Sequence, residues 1–141
     1  MVEMIMVMVI VGILAAVVAP RFMDTNVFQS RGFADQVQAT LRYAQKQAIA
    51  QHRLVCVALA PTTVTLSIAN LSTDVGCSLP LVLSDGSSVL SAPSSNITMA
   101  YNSASFNFDA LGRTAVQQVI TVSGATNNIV VEAETGYVHS P

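Results

Sequence analysis

Hydrophobic and polar positions divide the chain into three stretches. Met1–Ala19 holds a single polar side chain, Glu3, and is otherwise apolar all round, with Gly12 in its middle. A helix on the core of a soluble domain keeps a polar face, and this run has none. At close to twenty residues it approaches the length that spans a hydrocarbon layer of about 30 Å. From Asp24 to His52 the pattern changes. Phe33, Val37, Leu41, Ala44 and Ala48 recur at spacings of three and four, while Asp35, Gln38, Arg42, Lys46 and Gln51 fall mostly on other faces. That is an amphipathic helix with one apolar stripe. Pro20 either kinks one continuous helix or ends a first one, with Asp24 or Thr25 available as a fresh cap. Gly32 weakens the second part locally. The reading is one long helix, residues 1–22 its apolar half and residues 23–52 its striped half.

After His52 the period shifts to two. Six β-rich runs follow: Arg53–Ala60, Thr63–Ala69, Asn96–Tyr101, Ser105–Asp109, Gln117–Ser123 and Asn128–Ala133. Between them lie Pro61-Thr62, a Ser/Gly/Pro-rich stretch at residues 84–95, Ala110–Arg113 and Gly124–Asn127. Short strands with turn chemistry between them read as antiparallel sheet. Residues 53–141 are therefore a β-rich domain, one face of its sheet covered by the helix stripe. The predicted class is α+β.

Charge changes the picture modestly. One residue in ten is charged, against roughly a quarter in ordinary domains, and Met4–Ala19 carries no charge at all. The balance is slightly acidic, with a formal net charge of −2, and the few cations are spread out, so a nucleic-acid partner is not expected. No Gly-x-Ser-x-Gly elbow, His-Glu-x-x-His pair or phosphate loop occurs. Glu132 and Glu134 alternate with apolar residues and read as two solvated carboxylates on one strand face. No catalytic residue, metal ligand or cofactor is assigned.

The opening run does not suit a secretory signal. Nothing basic precedes it, and Pro20 stands where cleavage after small residues is expected. It reads as a membrane anchor. Within it Glu3 is the costly residue, because a charge at mid-bilayer costs roughly 2.5–3.5 kcal/mol on insertion scales. At a helix N-terminus the macrodipole returns about 0.3–1 kcal/mol.

The segment VEMIMVMVIVGILAAVVAPRF resembles the N-terminus of type IV pilins and type II secretion pseudopilins, with Val2, Glu3, Gly12 and Pro20 in the matching places. FNFDALGR is similar to the Phe-Asp-x-x-Gly-Arg hairpin of the GspH/FimT subgroup, carried here by Phe108, Asp109, Gly112 and Arg113. The closing VVEAETGYVHS is similar to the last strands of these minor pilins, those of the mannose-sensitive haemagglutinin (MSHA) pilus in particular. The family cleaves a short basic leader ending in glycine. That leader does not precede Met1 here, so a misplaced start or a fragment is expected.

The resemblance implies a type IV pilin-like fold, a long N-terminal helix on an antiparallel sheet. It implies a structural minor pilin with its anchor in the bacterial inner membrane and its domain in the periplasm, later part of a pilus or secretion fibre. Glu3 then serves subunit assembly by pairing with a neighbour's amino terminus. The implied partners are other pilins, the inner-membrane assembly platform, membrane lipid, and a prepilin peptidase acting on the precursor. A secretion pseudopilin and a DNA-uptake pilin are the alternatives. Cys56 and Cys77 are too far apart for a Cys-x-x-Cys motif and too few for a zinc site. In a reducing compartment they read as buried thiols. In the implied periplasm they read as a disulfide.

Overall fold

A computed structural model describes residues 1–18 and 25–141. It contains helix α1 (Val2–Val18), helix α2 (Thr25–Gln51) and nine strands: β1 (Val55–Ala60), β2 (Thr63–Ile68), β3 (Leu79–Pro80), β4 (Val89–Ser91), β5 (Met99–Tyr101), β6 (Ser105–Phe108), β7 (Gln118–Val122), β8 (Ile129–Val131) and β9 (Val138–His139). Whether one helix runs through Pro20 concerns residues outside those described, as does the possible cap at Asp24. Residues 2–17 of α1 are all exposed. At 1.5 Å per residue its 17 residues reach about 26 Å, just short of the hydrocarbon layer. Among the described residues no helix is long and apolar enough to cross a membrane.

The expected stripe of α2 is the buried one. Phe33, Val37, Leu41, Ala44 and Ala48 are all buried. The two alanines, one turn apart, let the helix axis approach the strands closely. The helix ends at His52, whose φ of 51° is left-handed. The Arg53 amide donates to the Ala48 carbonyl (3.2 Å) and the His52 amide to Ile49 (3.4 Å). This paired closure of the last turn usually employs glycine at the left-handed position.

The expected single sheet is two. In the first, β1 pairs with β2 and β6, and β2 pairs on its other side with β3 and β4; the second runs β5-β7-β8-β9. All pairs are antiparallel. The chain leaves the first sheet after β4, places β5 in the second, returns with β6 beside β1, and then builds β7–β9. Alternation tells which side chains point inward, and Val55, Val57, Val64, Leu66, Ile120, Val122, Ile129 and Val131 do. It does not tell which strand lies next to which. Strand β4 falls inside the Ser/Gly/Pro-rich stretch read as a separator. Only three residues long, it pairs Leu90 with Val64 and gives too short a pattern to register. Helix α2 packs against strands of both sheets and closes a single core.

Candidate functional site

Glu3 lies in the first turn of α1, where unpaired N–H groups and the macrodipole favour a carboxylate. Val2 is exposed, and a Cβ added at Gly12 meets nothing within 4 Å. Among the described residues, nothing in this chain packs on Val2 or requires glycine at position 12. Pro20 lies outside the described residues.

Cys56 and Cys77 form a disulfide, with Cα atoms 6.0 Å apart. Cys56 is on the outward face of β1 and Cys77 lies just before β3, so the bond ties the first strand to the loop after the second. His52, near Cys56 in sequence, is the left-handed residue that ends α2.

The motif Phe108–Arg113 is a turn but not a hairpin. β6 pairs only with β1, and beyond Arg113 the chain passes to the second sheet. Phe108 is fully buried and meets the Phe106 ring edge-on at 5.5 Å. Asp109 organises the turn. Its Oδ1 accepts from the amides of Leu111 (2.9 Å) and Arg113 (2.8 Å), and its Oδ2 accepts from Arg113 Nε (3.0 Å). Partial burial works to raise the Asp109 pKa, but the Arg113 amide, the Arg113 guanidinium and the Leu111 amide outweigh it and hold it below 3.8. Gly112 has φ +76°, and a Cβ there comes within 2.6 Å of Ile49 Cδ1 and 3.1 Å of Gln45 Cγ. The left-handed backbone favours glycine there, and a larger residue would also have to push the Ile49 side chain aside.

Two helix residues to which the sequence reading gave no role complete this region. Gln45 Nε2 donates to the carbonyls of Gly112 and Thr135, and Arg42 Nε donates to the Val138 carbonyl (3.0 Å). Both flank the apolar stripe at Leu41 and Ala44, which is the one hint the sequence offers. The expectation for Glu132 and Glu134 is corrected. β8 ends at Val131, and Glu134 sits in the β8–β9 turn with φ 66°, so the two do not share a strand face. Glu132 accepts from Gln117 Nε2 (2.9 Å) and faces His139 Nε2 at 3.0 Å. His139 first, then Gln117, lowers its pKa below 4.5. His139 in turn stacks on Tyr137 at 5.3 Å.

No family model and no curated protein matches the chain. Solved structures do. The type IV minor pilin FimU of Pseudomonas aeruginosa superposes with a TM-score of 0.60 at 16% identity, over 85% of this chain and 92% of that one. The minor pseudopilin EpsH of the type II secretion system of Vibrio cholerae superposes with 0.61 at 11% identity, over 82% and 95%. The chain has the pilin fold. At these identities the likeness is one of fold, and it extends over nearly the whole of both solved chains. Within the pilin fold, the turn at Asp109 and the β8–β9 turn are the elements bolted to the helix by Gln45. They hold the sheets against α2 and so fix how the domain is carried by its helix.

Proposed function

We propose that the chain is a minor pilin or pseudopilin, a structural subunit rather than an enzyme, anchored by its N-terminal helix and incorporated through it into a fibre. The observation that carries this reading is α1 itself. It is an apolar helix whose residues 2–17 are all exposed, in a chain with the pilin fold, and Glu3 is its only charge. Such a surface is stable only in lipid or against other apolar helices. In either place an unpaired carboxylate is costly, so Glu3 seeks a cation, and a neighbouring subunit's amino terminus supplies one. Gly12, idle within this chain, offers a neighbouring helix close approach. An inner-membrane anchor, a periplasmic domain, and the peptidase and assembly platform as partners belong to the same proposal.

The ending VVEAETGYVHS favours a pilus of the MSHA type. FimU and EpsH match equally well, so fold similarity does not choose between pilus and secretion fibre. A DNA-binding role is disfavoured by charge. From Val55 to Pro141 there are five acidic residues and one basic, Arg113, and phosphate contacts need clustered cations.

The test is Glu3→Ala and Glu3→Gln in the chain expressed with a family leader. Both variants are expected to reach the membrane fraction yet fail to co-purify with sheared fibres. Wild-type recovery of Glu3→Ala in fibres defeats the assembly role.

A further inference from the structure

The sheet edges are guarded unevenly. The far side of β2 is covered by the short strands β3 and β4, the former ending in Pro80. On the β5 edge the Met99 amide donates to the Pro61 carbonyl (2.6 Å), and on the β9 edge the Val138 carbonyl accepts from Arg42. Among the described residues, no other strand or helix bonds to the outer edge of β6. Its register against β1 is continuous, and it contains no lysine, proline or bulge, the usual devices that protect an edge.

The Leu59 amide donates to the Ala104 carbonyl (2.7 Å), which sets the alternation of the ladder. Ala104, Phe106 and Phe108 bond to β1, and the backbone groups of Ser105 and Asn107 point away from it. The Ser105 carbonyl accepts from Ser103 Oγ (2.8 Å). Among the described residues, the Ser105 amide and both backbone groups of Asn107 have no protein partner. Beside this edge run two adjoining cavities that share Asn107 and Ala115. One is walled by Phe106, Val116 and Gln118, the other by Asp109, Arg113 and Glu134. Gln118 is buried, and its Oε1 lacks a donor among the described residues.

We infer that the β6 edge receives an extended polypeptide segment of another fibre subunit by strand addition, an inference that rests on the proposed fibre role. Free backbone groups two residues apart on an edge match another backbone and little else. In antiparallel addition a residue opposite Asn107 exchanges both backbone bonds with it, and the carbonyl two residues further along accepts from the Ser105 amide. The occupant is uncharged where it passes Phe106, Ala115 and Val116, with an apolar side chain against Val116. It is basic where it reaches Glu134, because Asp109 and Arg113 already neutralise each other.

The test presents the full chain in detergent with overlapping short peptides tiling the other fibre subunits of the same cell. Tiles with alternating apolar residues are expected to bind the wild type. Asn107→Pro, which removes an outward amide and leaves the β1 pairing in place, should weaken them by about tenfold or more. Val116→Glu, which leaves the backbone alone, should do the same, and Thr121→Glu on the outer face of β7 should not. Absence of any binding tile, or equal binding by Asn107→Pro and Val116→Glu, overturns the inference. A homodimer that Asn107→Pro dissolves, seen by light scattering, also overturns it, by naming a second copy as the occupant. Fibre co-purification separates the two readings. A wild type that never enters a fibre defeats the fibre role, whereas fibre entry with no tile bound defeats the strand addition alone.

Discussion

Gln45 Nε2 lies 3.1 Å from the Gly112 carbonyl oxygen and 2.9 Å from that of Thr135, so one helix amide holds two turns that are 67 and 90 residues further along the chain. The turns also meet each other, since a Cβ added at Gly136 runs into the Gly112 carbonyl oxygen. Helix, first turn and second turn thus form a three-way contact at the point where the two sheets are joined to α2.

Substitutions in this contact should rank by what they strike. Gly136→Ala meets backbone, which cannot move aside, and should be the most destabilising. Gly112→Ala meets the movable end of Ile49 and adds left-handed strain, together about 1–3 kcal/mol. Gln45→Ala leaves two carbonyls short of a donor, at about 1–3 kcal/mol. Urea midpoints measure all three, and a wild-type midpoint for Gly136→Ala contradicts the packing described.

Two helix positions should respond in the opposite direction. Gly32 lies inside α2, is exposed, and a Cβ there touches nothing, so Gly32→Ala should add about 0.5–1 kcal/mol. His52→Gly relieves a left-handed conformation that costs an L residue roughly 1–2 kcal/mol, and part of that should appear as stability. Thermal melts of the two single variants and the double are expected to show additive gains, because the sites are remote. A loss of stability in His52→Gly argues against the closure of the last turn described above.

The disulfide closes a loop with a sequence separation of 21, worth about 3 kcal/mol in the loop-entropy account. Reduction should lower the denaturation midpoint accordingly, and chelators should leave it unchanged. Two alkylatable thiols in the unreduced protein, detected by mass spectrometry, would refute the bond.

Acid sensitivity should trace in part to Asp109. Its folded pKa lies below its ordinary 3.8, so the native state binds fewer protons than the unfolded chain in that range. Its contribution is present above the ordinary value and is lost as pH falls through the folded value. Stability measured by denaturant from about pH 6 down to about pH 2 should therefore fall less steeply in Asp109→Asn than in wild type. Parallel curves for the two proteins remove Asp109 from the account.

The sequence by itself determined the helical stretches, the strands β1, β2 and β5–β8, and the buried stripe of α2; β3, β4 and β9, two or three residues each, were too short to carry a pattern. The stripe Phe33–Ala48 and the inward residues of β1, β2, β7 and β8 could be read because a helix or strand imposes its own period on any sequence that buries one face. The uniformly apolar α1 with its lone Glu3 was equally legible, since no arrangement of the domain is needed to see it. Tertiary structure alone decided that there are two sheets, that β6 returns to β1, and that Gln45 and Arg42 bond to backbone carbonyls of two turns and of β9 in the last third of the chain. Those outcomes depend on which strands meet after long loops close, and a pairing partner leaves no periodic trace in either strand. The open backbone of Ser105 and Asn107 belongs to the same class. A strand becomes an edge only through where its neighbours lie.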